Sequence, residues 1–153
     1  MDLFNKPIAG QEERSDEVLP YQALVDFYYA FNHQDFEVMS SNWISTEEAS
    51  MSNPLGGVKR GWNEIEEVYK KIFNGKAKVY VEFYDYSIHV TENMFVAVGR
   101  ERGLLEINNQ KMELAIRTSR TYCLLNNQWK QIHHHGSMDN PELLATYQNA
   151  LNK

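Results

Sequence analysis

Residues 78–137 read KVYVEFYDYSIHVTENMFVAVGRERGLLEINNQKMELAIRTSRTYCLLNNQWKQIHHHGS. Three runs in it, 78–90, 94–107 and 110–125, are rich in β-branched and aromatic residues, the types that suit a pleated, half-buried surface. They are separated by Glu92-Asn93, Asn108-Asn109 and Asn126-Asn127. Asparagine tolerates the left-handed backbone that a tight hairpin needs, so each pair reads as a turn. A last strand from Trp129 to Ser137 completes a four-strand antiparallel meander.

The residues before this stretch have a different period. Leu24, Phe27, Tyr28 and Phe31 recur at helical spacing after Pro20, a residue tolerated in a first turn, and Asn32-His33 ends that helix. A short second helix follows in DFEVMSSNW (35–43), with Phe36 and Met39 inward. EEASMSNPLGGVKRG (47–61) reads as a short strand and a loop, because Pro54, Gly56, Gly57 and Gly61 forbid a long regular element. Trp62, Ile65, Val68, Tyr69 and Ile72 mark a third helix that Asn74-Gly75 stops. Beyond the meander, Asn140-Pro141 opens a C-terminal helix with Leu143, Leu144, Tyr147 and Leu151 along one side. Helices first and a long meander afterwards indicate an α+β layer fold. The expected organisation is a mobile tail over 1–15, a domain over 16–138 and a C-terminal helix over 139–153.

At 153 residues, 42% of them hydrophobic, the chain is sized for one domain with one core. Its net charge of −6 opposes general nucleic-acid binding, which depends on neutralising phosphates. The single cysteine, Cys123, excludes an intrachain disulfide and a cysteine-based zinc site. No apolar run approaches membrane-spanning length, and none near residue 1 resembles a signal sequence. The expected location is the cytoplasm.

Several residues are candidates for chemistry. Four of the six arginines, Arg100, Arg102, Arg117 and Arg120, fall on two adjacent strands. Arg100 and Arg120 either hold an anionic group with their guanidinium forks or pair with Asp85, Glu101 or Glu113. Two-residue turns at 108–109 and 126–127 would set Arg100 opposite Arg117 and Arg120 opposite His133. In that ideal register Arg100 and Arg120 point to opposite faces, and only a β-bulge would bring both into one pocket. Strand alternation puts His133 and His135 on one face and His134 on the other. An H-x-H pair can chelate a metal, with His89 or a glutamate as third ligand, but no other paired ligand spacing supports this and no metal or cofactor is expected. His134 is the better pocket residue, as hydrogen-bond donor or general base. Tyr28 offers a hydroxyl to a cavity, and Trp43 a ring at its mouth.

The whole order is recognisable: helix, short helix, an NPLGG loop (53–57), GWNEI (61–65) opening a third helix, then long hairpins ending in NNQWKQIHHHGS (126–137). It resembles the nuclear transport factor 2-like superfamily, with its SnoaL-like and ketosteroid-isomerase-like branches. Arg100, RTSRTY (117–122) and the W-x-x-x-H-x-H-x-S pattern of 129–137 resemble in particular the association domain of calmodulin-dependent protein kinase II and its small bacterial relatives. The resemblance covers roughly 18–138. It implies a cone-shaped, cystatin-like roll, a cavity between helices and concave sheet, and a dimer built through the sheet. Arg100 and Arg120 match two of the arginines of the kinase-domain pocket, and the third falls on Gly136. The positions of the ketosteroid isomerase base, tyrosine and second acid fall on Asn53, on Phe27 and near Thr121. Asparagine cannot accept the proton and phenylalanine cannot donate a hydrogen bond, so the resemblance implies a pocket without that mechanism. The leading expectation is a small-molecule-binding homodimer whose pocket uses Arg100, Arg120, His134, Tyr28, Asn53 and Trp43 for an anionic or polar ligand. Alternatives are an association module without activity and a metal enzyme using His133 and His135.

Overall fold

A computed structural model describes residues 2–4, 6–13 and 15–152, the first three as backbone only. Strand β1 (Asp2–Phe4) precedes helices α1 (Pro20–His33) and α2 (Phe36–Asn42). Short strands β2 (Ser50–Ser52) and β3 (Lys59–Arg60) lead to helix α3 (Trp62–Asn74). The long strands β4 (Lys78–Val90), β5 (Met94–Ile107), β6 (Gln110–Leu125) and β7 (Gln128–Ser137) follow, and helix α4 (Pro141–Leu151) closes the chain. The seven strands form one sheet in the order β1-β4-β5-β6-β7-β2-β3. All pairs are antiparallel except β2 with β7. Among the described residues no helix is long and apolar enough to cross a membrane.

The asparagine turns form as their chemistry requires. Asn108, Asn109, Asn126 and Asn127 all have positive φ, the backbone of two-residue hairpins. The β5–β6 ladder therefore runs unbroken from Met94↔Cys123 to Ile107↔Gln110 and sets Arg100 opposite Arg117. The neighbouring ladders each carry a bulge. In β4 the register shifts between Tyr84 and Ser87, with Asp85 at φ 49°. There Gly99 of β5 lies so close to β4 that an added β carbon would stand 2.6 Å from Tyr86 Cβ. In β7, Thr121 pairs with His133 but Tyr122 pairs with Gln131, which leaves Ile132 as the extra residue. Arg120 consequently faces His134, and not the His133 of an ideal register.

Helices α1 and α3 bury Leu24, Phe27, Tyr28, Ile65 and Tyr69 in one core with Val81, Phe83, Phe95 and Tyr122 of the sheet. The opposite sheet face leaves Met94, Val98, Leu104 and Tyr80 exposed. Within 1–15, where a mobile tail is expected, the described residues 2–4, 6–13 and 15 include stretches packed on the sheet. Strand β1 pairs with β4, and Ile8, 0% exposed, exchanges two 2.8 Å backbone hydrogen bonds with Phe83. The Glu12 carboxylate accepts the amides of Ala9 and Gly10, and Asn32 donates to the Ala9 carbonyl. A polar composition hid one large apolar anchor whose partner lies far along the chain.

Candidate functional site

On the inner face of the meander, β5 contributes Glu101, β6 Arg120 and β7 Gln131 and His134, all buried. Burying a charge is tolerable only when it is paired and hydrogen-bonded, and Arg120 meets that condition fully. Its Nη2 donates to Glu101 Oε2 at 3.0 Å, its Nη1 to Gln131 Oε1 at 3.0 Å and its Nε to the Tyr28 hydroxyl at 3.3 Å. The Phe27 ring covers the guanidinium at 3.5 Å. Tyr28 in turn donates to Glu101 Oε2 at 2.5 Å. Behind this group, Asn42 Oδ1 accepts from Tyr122 and Gln131, while its amide donates to the Ala23 carbonyl. One network thus ties α1 and α2 to β5, β6 and β7.

The titration behaviour follows from these contacts. Burial works against the Arg120 charge, but Tyr28, Glu101, Tyr69 and Tyr122 together outweigh it and the guanidinium stays protonated. Burial, reinforced by Glu101, pushes the Tyr28 phenol well above its ordinary range, so it remains a donor. Burial raises Tyr69 to about 12. For His134, burial first and the Arg120 charge second hold the imidazole well below its usual 6.5. Its Nδ1 lies 3.2 Å from the Ser119 carbonyl. A carbonyl only accepts, so Nδ1 carries the proton and Nε2 presents a lone pair.

These groups open onto a cavity of about 50 Å³ between sheet and helices. Glu101, Arg120 and His134 form its polar side, and Phe27, Val81 and Ile116 supply apolar wall. Asn53, Tyr69 and Tyr147 also line it. Asn53 spends its Oδ1 on the Leu55 amide and its Nδ2 on the Met51 sulfur. Tyr147 comes from α4, which is held by Gln148 donating to the Pro54 carbonyl and by Lys71 donating to Asn152.

Of the expected site residues, the structure brings together Arg120, His134, Asn53 and, just behind them, Tyr28. Arg100 lies elsewhere. With no bulge between it and Arg120 on the β5–β6 ladder, the two face opposite sides of the sheet, and Arg100 pairs with Asp85 at 3.1 Å on the outer face. Arg117 does the same with Asp139 at 2.8 Å. Trp43 is 1% exposed and donates to the Tyr69 hydroxyl, which makes it core and not a mouth residue. His133 and His135 occupy the outer face, His133 with its Nδ1 2.7 Å from Ser50 Oγ. Among the described residues no three His, Cys, Asp or Glu side chains gather as metal ligands. Glu101 and Tyr147 are cavity residues that sequence reasoning did not select. Glu101 entered the sequence reading as a possible partner of the arginines, not as cavity lining, and nothing local marked Tyr147 as cavity wall.

The SnoaL-like domain family matches residues 21–141. The chain belongs to the SnoaL-like family. Helix α4, apart from Pro141, lies beyond the matched SnoaL-like region. No curated protein matches significantly. Among solved structures, the fold is similar to a protein of Thiobacillus denitrificans provisionally assigned as a calcium/calmodulin-dependent protein kinase type II association domain. The TM-score is 0.69 at 17% identity, covering 84% of this chain and 100% of that one. A nuclear transport factor 2-like superfamily protein of Salmonella enterica gives 0.65 at 24% identity, covering 76% and 85%. A cystatin-like-fold protein of Caulobacter vibrioides gives 0.63 at 18%, covering 87% and 95%. At these identities the likeness concerns the fold, which hosts many functions.

Proposed function

We propose that this SnoaL-like chain binds a small polar molecule in the inner cavity and does so as a homodimer joined through the outer sheet face. The observation that carries the reading is the placement of an ion pair and a neutral imidazole against an otherwise largely apolar cavity wall. Ligand sites characteristically combine apolar walls with a few convergent polar groups. Apolar replacements of similar volume would often serve stability as well as a buried ion pair, so stability alone is a weak reason for this one. Proton transfer is the chemistry the site supports, with His134 Nε2 as the base, and hydrolysis or dehydration would draw on the same atom. Ketosteroid isomerisation lacks support: Phe27 has no hydroxyl and covers Arg120, and Thr121 stands in step with the outward Arg117 and Ser119.

The dimer reading rests on the outer face, where Met94, Val98 and Leu104 remain exposed on the central strands. A second copy laid on the same face would cover them with an isologous contact. Native mass spectrometry of untagged protein purified without added ligand tests both parts. The expected result is a dimer carrying a reproducible small organic mass. An empty monomer would overturn the proposal.

A further inference from the structure

The charged pair beside the cavity is committed to itself while two acceptor atoms next to it are not, and this contrast specifies a ligand class. This step rests on the pocket reading above. Arg120 is the group that would attract an anion, yet three of its nitrogens already donate to Glu101, Gln131 and Tyr28, and one face of its plane lies on Phe27. Its charge is matched by Glu101 in direct contact. An anion entering here would meet a neutralised arginine and a carboxylate together.

Two acceptor atoms, on Glu101 and His134, are in the opposite condition. Both bonds that Glu101 receives, from Tyr28 and from Arg120, go to Oε2. Among the described residues Oε1 accepts none. His134 spends its proton on the Ser119 carbonyl, and the described residues offer no donor to Nε2. Neither atom is sealed away: among the described residues the buried side-chain atoms without a partner are Thr118 Oγ1 and Trp129 Nε1. Glu101 Oε1 and His134 Nε2 are therefore within reach of an occupant of the cavity that both residues line. Gly136 keeps the second approach open. A β carbon there would stand 3.2 Å from His134 Nε2 and 3.3 Å from Pro54 Cδ.

We infer that the cavity takes a small molecule presenting two hydrogen-bond donors, an amine or hydroxyl pair such as an alkanolamine or a diol, and not an anion. One donor meets Glu101 Oε1 and the other His134 Nε2. Size sets a second limit, because a water occupies roughly 10–15 Å³ by the same measure. A cavity of about 50 Å³ holds only a few non-hydrogen atoms while Tyr147 stays in place.

The test uses protein labelled with ¹⁵N-histidine and reads the His134 Nε2 resonance at constant pH during titration with ethanolamine, ethylene glycol, acetate and inorganic phosphate. The proposal expects a saturable shift of Nε2 toward the hydrogen-bonded value with ethanolamine or ethylene glycol, at an affinity about tenfold or more above that for acetate. In Gly136→Ala, whose folding is checked by its spectrum, the crowded Nε2 should lose at least about two-thirds of that affinity. Saturation by acetate or phosphate with no response to either donor would overturn the ligand class and leave the pocket reading standing. Absence of any response at His134 to all four probes would overturn both.

Discussion

Replacing Glu101 by glutamine keeps the size of the side chain and one accepting oxygen, removes its charge and turns the other oxygen into an amide donor. In the native chain Glu101 and Arg120 have side chains 6% and 4% exposed, so bulk water replaces little of the lost partnership. Removing one member of a buried pair costs about 3–5 kcal/mol, because the remaining charge is uncompensated. Unfolding transitions of chains this long move by about 2–4 °C per kcal/mol, which makes the expected fall in Tm roughly 6–20 °C. Arg120→Met removes the other charge and leaves Gln131 Oε1 without its donor, a loss of about 1–3 kcal/mol by itself. The double variant should therefore be more stable than the sum of the two single effects predicts, with a coupling energy of about 2 kcal/mol or more. Urea denaturation of all four proteins, followed by tryptophan fluorescence, measures that coupling. If Glu101→Gln costs less than about 1 kcal/mol and the cycle is additive, the buried pair does not carry the charge balance described here.

Three further outcomes follow from the same structure. Arg100→Ala should change the stability of the single chain by no more than about 1 kcal/mol, since its pair with Asp85 is exposed; a loss as large as that of Glu101→Gln would place Arg100 in the interior or in the seam between copies. Ile8→Ala should cost about 2–5 kcal/mol in chemical denaturation, because Ile8 is fully buried; a neutral result would restore the mobile segment. His134 is depressed in the folded state by burial and by Arg120. As pH falls below about 6.5 the unfolded chain takes up a proton that the folded ring refuses, so stability present at higher pH should decline toward the folded pKa. The part of this decline that His134→Gln abolishes is its contribution, and a ring titrating normally by nuclear magnetic resonance would contradict the assignment.

The four-strand meander and its turns were legible because their causes are local. Asparagine pairs accept positive φ wherever they stand, and β-branched runs need only their own neighbours to read as strands. From those two facts the pairing of Arg100 with Arg117 follows, and with it the separation of Arg100 from Arg120 on opposite faces. The expectation that both arginines serve one pocket fails on the same register. The histidine tract could be read as alternating, with His134 inward, before the strand was seen in place.

What only the tertiary structure decided depends on fit between distant segments. The extra residue at Ile132 shifts β7 by one place and sets His134, not His133, across from Arg120. A bulge responds to how a long strand bends over the core, and no neighbouring residue announces it. Glu101 became the partner of Arg120 because adjacent strands bring both inward under the Tyr28 hydroxyl. Ile8 and Tyr147 found their places from opposite ends of the chain, one in the core and one against the cavity. The sequence alone determined the order of the helices and of the meander strands, through turn chemistry and periodicity. Tertiary packing decided the chemistry of the cavity, because which polar atoms are spent and which stay open depends on contacts between residues far apart in the chain.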